Sequence, residues 1–285
     1  MPLTKVRHAG LDSSGGQFFA VGGTVTEYTS GSTRYRVHSF TDTGNHKIVF
    51  NGQGPVDFLI VGGGGGSAGA EGFTGSTGGA GAGGMVEGTS QTISAGSYTI
   101  VVGAGGAKST DVSAPASNGG DSSFNSFTGK GGGGGSDYVG NDSERVGANG
   151  GSGAGGSENQ QTAGSSNQDT YSSTTGVTGF GNSGGNGGAY GGGGSGGSGA
   201  GGGAGGAGTA ANAATANGGV GRANSLRTGS NVTYARGGNG YAYNESSVDE
   251  SANTGNGAHG VSSTGGNNTN GGNGGSGIVV IRYVL

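Results

Sequence analysis

Cysteine and tryptophan are absent from this chain of 285 residues, and proline occurs 3 times. Without cysteine there can be no disulfide framework and no thiolate metal site. Hydrophobic residues make up 28 % of the chain, much of it alanine. That is too little for an ordinary side-chain core along its whole length. No apolar run approaches the roughly 18–20 residues of a membrane-spanning helix, so membrane insertion is not expected. The opening MPLTKVRHAG has no apolar segment of the kind a secretory signal carries. The formal net charge is −4, and no long basic run is present, so nucleic acid is not an expected partner.

What the sequence has in abundance is glycine, at 80 positions. So much glycine without an evident repeat would point to low complexity or disorder. Glycine also loses the most backbone freedom on folding. An ordered structure must recover that loss through dense backbone hydrogen bonding.

The first residues differ from the rest. Glycine is sparser there, and β-branched and aromatic residues are frequent. Residues 17–21, 25–29, 34–40, 47–50 and 56–61 each read as a short strand bounded by Gly, Ser, Asp or Asn. The expected division is a small β-rich attachment region over 1–55 and a glycine-rich domain over 56–285.

From Gly62 onward a period of three emerges. Positions 63, 66, 69, 72, 75, 78, 81 and 84 are all glycine, and so are 193, 196, 199, 202, 205 and 208. Three is neither the helical nor the strand period, but it is the repeat of a polyproline-II-type helix. Collagen shares that repeat, yet it needs proline at roughly 15–20 %, which 3 prolines exclude. The remaining ordered arrangement is a bundle of polyglycine II helices. Such helices make no internal hydrogen bonds, so each must pair with its neighbours, and only glycine lets the backbones come close enough. Glycine is expected on one face of each helix, with Ala, Ser, Asn or Thr outside. The alternative is a flexible Gly/Ser linker. The regular register and the recurring apolar segments favour order.

Two of those segments follow the first glycine series. Residues 85–93 and 98–102, joined by Ser94-Ala95-Gly96-Ser97, read as a β-hairpin. The last apolar segment, 277–283, is expected to pair with 56–61 and close the glycine-rich region between its own ends. The fold class is thus irregular all-β, with a glycine-rich sandwich of packed polyglycine II helices, β-hairpins, long distal loops and essentially no α-helix. The polar, aperiodic segments 107–118, 137–145, 157–182, 222–235 and 241–254 read as those loops.

Several motifs carry no chemistry. Gly64, Gly66 and Gly69 satisfy the dinucleotide-binding G-x-G-x-x-G, but no helix can start among the glycines that follow. GAGGAKST at 103–110 lacks the glycine a P-loop places before its lysine. Aspartate never falls in the frame of a calcium-binding β-roll. His8, His38, His46 and His259 stand apart in sequence and read as strand or surface residues. No catalytic residue, cofactor or metal site is expected, and the protein reads as a non-enzyme.

VDFLIVGGGGG at 56–66, YTIVVGAGG at 98–106, GGDSSF at 119–124, GKGGGGG at 129–135 and GGNGGSGIVVIRY at 271–283 occur in that order. Together they resemble the glycine-rich domain of bacteriophage tail-fibre adhesins and receptor-binding tip proteins. The opening MPLTKVR also looks like the start of phage tail proteins. The resemblance implies a virion protein at the tail or tail-fibre tip. Its N-terminal region would dock to a tail or tail-fibre protein, and its loops would contact an outer-membrane protein or lipopolysaccharide of the host. The loops correspond by position between glycine motifs and not residue by residue. The candidate contacts they carry are Tyr138, Glu144, Arg145, Tyr171, Phe180, Arg222, Arg227, Tyr234, Tyr241, Tyr243 and Glu245. Tyrosine among serine, glycine and asparagine offers large contact area at low entropic cost; the alternative is that these aromatics cap the helix bundle. Two other readings stay open, a structural virion or fibre subunit without receptor binding, and an ice-binding protein.

Overall fold

The computed structural model describes residues 16–70, 75–111, 114–137, 145–158, 161–188, 197–211, 216–240, 248–263 and 269–285. Among these there is no helix, and every ladder between strands is antiparallel. The strands are β1 (Ala20–Val21), β2 (Thr24–Ser30), β3 (Thr33–Phe40), β4 (Gly44–Phe50), β5 (Gly54–Val61), β6 (Met85–Ile93), β7 (Gly96–Val102), β8 (Ser122–Phe124), β9 (Phe127–Gly129), β10 (Val177–Phe180), β11 (Arg222–Asn224), β12 (Val232–Tyr234) and β13 (Ile278–Val284). One sheet has the order β10-β6-β5-β13-β3-β2 and a second has β1-β4-β7-β8-β9, while β11 and β12 form a separate hairpin.

The alternation along β5 and β13 builds two cores. Val56, Phe58, Ile60, Val279, Ile281 and Tyr283 face the second sheet and pack with Phe18, Ile48, Phe50, Ile100 and Phe124. Phe58 stacks on Phe127 at 5.0 Å between ring centroids and meets Phe124 edge-on at 5.7 Å. Leu59, Val61, Ile278 and Val280 point the other way, onto Met85, Ala82, Ala204 and Tyr234. Both faces of these central strands are covered. That is why 58–61 and 278–281 read as unbroken apolar runs rather than alternating ones.

The expected pairing of 56–61 with the final strand is present, with Ile278 opposite Val61 and Arg282 opposite Asp57. The expected hairpin of 85–93 with 98–102 is not. β6 pairs with β5 and β10 in one sheet, whereas β7 pairs with β4 and β8 in the other. The turn after Ile93 is an arch between sheets. Ile93, Ile100 and Val102 enter the same core from opposite sides, which a flat hairpin would not allow.

Strands from both sides of position 55 share both sheets: β3 lies against β13, and β4 against β7. Residues 16–55 therefore have no core of their own. They form one body with the residues that follow, and the division expected at 55/56 is not visible as a boundary.

Beyond the strands the chain continues as glycine-rich strings bonded backbone to backbone. In the string after β5, Gly62, Gly63 and Gly64 donate to three different neighbours, Gly84, Gly120 and Gly275. Gly65, Gly66 and Ser67 then donate to Gly81, Ser117 and Gly272. Each step of three along the string returns to the same neighbour, three residues further along it. This is a helix of three residues per turn whose N–H groups all point outward. The same string accepts from Gly132 and Gly135, from Gly106 and Ser109, and from Ala258, so it is ringed by other strings on every side.

Ringed strings explain why glycine fills consecutive positions instead of the single face expected. A Cβ on Gly62 would lie 2.2 Å from the Lys130 carbonyl oxygen. On Gly63 it would meet Ala104 O at 2.0 Å, and on Gly64 Asn256 O at 1.9 Å. All are backbone atoms that cannot swing aside. Alanine enters the same lattice where a gap exists, as at the fully buried Ala80, Ala82 and Ala258.

Candidate functional site

Among the described residues, 62–70, 103–111, 130–137, 181–188 and 235–240 leave strands, and 75–84, 114–121, 216–221 and 269–277 lead into them, so there is a sheet end and a far end. At about 3.1 Å per residue the string 62–70 spans roughly 28 Å between them. At the far end Ala70 bridges Thr269 and Ser76 bridges Ser262. Nearby bonds join Ser157 N to Arg145 O, Gly187 N to Gln161 O, Gly188 N to Gly197 O, and Gly240 N to Ala216 O. These residues flank 71–74, 138–144, 159–160, 189–196, 212–215, 241–247 and 264–268. The described residues that flank these segments thus gather at the far end.

The candidate contacts divide between the two ends. Tyr138, Glu144, Tyr241, Tyr243 and Glu245 lie outside the described residues. Arg145 stands at the far end, where its carbonyl also accepts from the Ser157 hydroxyl at 3.1 Å. Beside it two carboxylates are buried within the lattice, Asp137 and Glu158, and the Ser76 hydroxyl donates to Glu158 Oε2 at 3.1 Å.

Tyr171, Phe180, Arg222, Arg227 and Tyr234 are at the sheet end, where they hold the fold. Tyr171 has φ 53°; its hydroxyl accepts from Thr128 N at 2.8 Å and donates to Thr128 O at 3.2 Å. Its ring meets Phe127 edge-on. Phe180 ends β10, with the Arg222 guanidinium 3.8 Å from its ring centroid. Arg222 also pairs with Glu87 on β6 at 3.3 Å, and Asn224 donates to the other Glu87 oxygen at 2.8 Å.

Tyr234 is a correction. It is 1 % exposed and belongs to the core between the β11–β12 hairpin and the six-stranded sheet, so its ring cannot meet a receptor. Its hydroxyl makes no hydrogen bond at ordinary distance. Burial raises its pKa, while the nearby Arg227 charge pulls it back by less. The segment 222–235, read as a loop, contains this hairpin. The alternation Val232-Thr233-Tyr234 and the turn glycine Gly229 were the signals for it.

Two clefts at the sheet end were not foreseen. One, of about 420 Å³, lies where β5 and β13 part beyond the Asp57–Arg282 pair; Phe18, Tyr35, Pro55 and Tyr283 are among its walls. The other, of about 320 Å³, is lined by Thr24, Thr26, Ser39, Thr41, Arg227 and Thr228. Neither left a motif in the sequence, because each gathers residues from distant strands. Among the described residues no three His, Asp or Glu side chains gather to hold a metal ion.

The profile of the glycine-rich domain matches residues 40–284. The chain belongs to the glycine-rich domain family. The match enters at Phe40, the last residue of β3, and leaves at Val284, the last of β13, so it takes in the whole lattice of this glycine-rich domain. No curated protein matches the chain.

Proposed function

We propose that this glycine-rich domain is a display scaffold, a bacteriophage tail-fibre or tail-tip adhesin that binds a host surface receptor through the connections at its far end. The observation that carries the reading is the division of labour in the lattice. The hydrogen bonds of 62–66 and 79–84 run from backbone to backbone, so these strings depend little on the side chains of what joins them. Connections at that end can change in length and composition without cost to the interior, and such segments are where binding function concentrates on rigid scaffolds. Tyr138, Tyr241 and Tyr243, which lie outside the described residues, are the aromatic contacts this reading assigns to those connections. The receptors that the resemblance implies are an outer-membrane protein or lipopolysaccharide, and the protein acts by binding rather than by catalysis. The sheet end, with residues 16–55 built into it, faces the tail.

The test is exchange of 138–144 and 241–247 for unrelated segments of equal length, in phage and in purified protein. The purified parent protein is expected to block phage adsorption to intact host cells, and the exchanged protein to lose that block while keeping its melting temperature. Unchanged adsorption after both exchanges would refute the reading.

A further inference from the structure

The polar cleft at the sheet end has the construction of a ligand site. Its floor is the outer face of the β2–β3 ladder, where Thr24 pairs with Ser39 in register. Thr24 and Thr26 stand on one face of β2, and Ser39 and Thr41 follow each other at the same side of β3 and just beyond it. Arg227 and Thr228, from the turn of the β11–β12 hairpin, form the opposite wall.

That turn is fixed in place. Gly229 takes φ +79°, and a Cβ there would strike the Tyr28 ring at 2.9 Å. The Tyr28 hydroxyl is bonded to the carbonyls of Ser225 and Leu226 and accepts from Arg282 Nη1 at 2.7 Å. The cleft is therefore pre-formed rather than a gap under a loose loop.

Its polar groups are mostly unspent. The hydroxyls of Thr24, Thr26, Ser39 and Thr41 make no hydrogen bond with any described residue; only Thr228 is engaged, with Ser230. Arg227 forms no ion pair with a carboxylate, whereas Arg34, Arg36, Lys108, Lys130, Arg222 and Arg282 all do. Glu27, the acid on β2, projects to the opposite face and is taken up by Arg34 and Arg36. A guanidinium with no carboxylate partner, its charge reaching the buried Tyr234 hydroxyl, stands opposite four hydroxyls with no competing acid among the lining residues, which matches a polyhydroxylated anion. Guanidinium takes carboxylate or phosphate through paired N–H donors, and hydroxyls both donate to and accept from sugar hydroxyls. A volume of about 320 Å³ falls within the range of small-ligand sites.

We propose that this cleft binds a single saccharide unit bearing a carboxylate or phosphate, with Arg227 on the anionic group and Thr24, Thr26, Ser39 and Thr41 on the sugar hydroxyls. The site lies at the sheet end and does not depend on the far-end connections or on the adhesin reading.

Calorimetric titration of the full chain with glucuronate, glucose 6-phosphate, glucose and inorganic phosphate tests it. Saturable binding is expected for at least one of the two anionic sugars, with glucose and phosphate each about tenfold weaker or more. Arg227→Gln is expected to weaken the anionic sugar by about tenfold or more, the order of one lost charge-assisted hydrogen bond. Thr26→Val, on the exposed edge strand, reports the hydroxyl contribution should the Arg227 variant fold poorly, and is expected to weaken binding several-fold. The proposal is overturned if neither anionic sugar binds saturably, if a folded Arg227→Gln or Thr26→Val protein binds as the parent does, or if phosphate alone binds as tightly as glucose 6-phosphate.

Discussion

Replacing one hydrogen by a methyl group at Gly64 tests whether backbone contact fixes the glycines. In Gly64→Ala the new Cβ would sit 1.9 Å from Asn256 O, 2.3 Å from its carbonyl carbon and 2.8 Å from Gly257 N. Ordinary contact begins at about 3.4 Å, so two strings must separate by more than an ångström. Overpacking of this kind costs about 1–3 kcal/mol. The separation also strains the bonds that Gly64 makes with Gly275 O at 2.9 Å and Gly106 N at 2.8 Å, each worth about 1 kcal/mol. Alanine recovers only about 0.4–1 kcal/mol by restricting the unfolded chain. The net expectation is a loss of about 3 kcal/mol, or about 6 °C in melting temperature for a domain of this size. Gly206 supplies the control. A Cβ there meets first the Val220 Cγ2 methyl at 3.3 Å, then nothing nearer than 3.9 Å, and Val220 is exposed enough to turn away. Gly206→Ala is expected to be neutral or slightly stabilising. Thermal and denaturant unfolding of both variants decides the matter. A Gly64→Ala protein within about 1 kcal/mol of the parent, or equal losses at the two positions, would show that the strings can part and that lattice contact does not explain the glycines.

Two further outcomes follow from the sheet end. His38 is fully buried; its Nδ1–H donates to Gly22 O at 2.7 Å, and its Nε2 accepts from the Tyr283 hydroxyl, which in turn accepts from Ala20 N. Burial pushes the His38 pKa below the ordinary histidine value, outweighing the Gly22 carbonyl that favours the charged ring. The unfolded chain then takes up a proton that the folded one refuses. The His38 contribution is present above about pH 6.5 and is lost as pH falls through that value toward the lower folded pKa. Denaturant unfolding between about pH 7.5 and 5.5 should show this fall, and His38→Gln should flatten it; parallel slopes would refute the assignment. Second, a fragment of residues 56–285 should not fold alone, because β13 would lose β3 and β7 would lose β4. A cooperative melt of that fragment by circular dichroism would contradict the single-body reading.

The strands of residues 16–61 and the closing pair β5–β13 were legible because their signals are local. β-branched and aromatic residues cluster there, and turn residues bound each run. The period of three was equally legible, since one long series is enough to reveal it. The partner of each string was not. Gly62, Gly63 and Gly64 look identical in sequence, yet they bond to Gly84, Gly120 and Gly275. A glycine carries no side chain to encode a neighbour, so the lattice order must come from the strands and turns that deliver each string to its place.

That dependence also explains the two misreadings at the sheet end. Ile93 and Ile100 have the spacing of a hairpin, and only the presence of a second sheet makes an arch better, since it lets both enter one core. Tyr234 has the composition of an exposed loop aromatic until the outer face of the six-stranded sheet is known to need a cover, which the β11–β12 hairpin supplies. In both cases the deciding contact spans residues far apart in the chain. The strands thus do more than close the lattice. They position strings whose own sequences specify almost nothing, and Tyr171, Phe180, Arg222 and Tyr234, read from sequence as binding contacts, are side chains that hold that frame. The cleft between β2–β3 and Arg227 stands apart, because the hydroxyls of Thr24, Thr26, Ser39 and Thr41 that line it bond to no described residue of that frame.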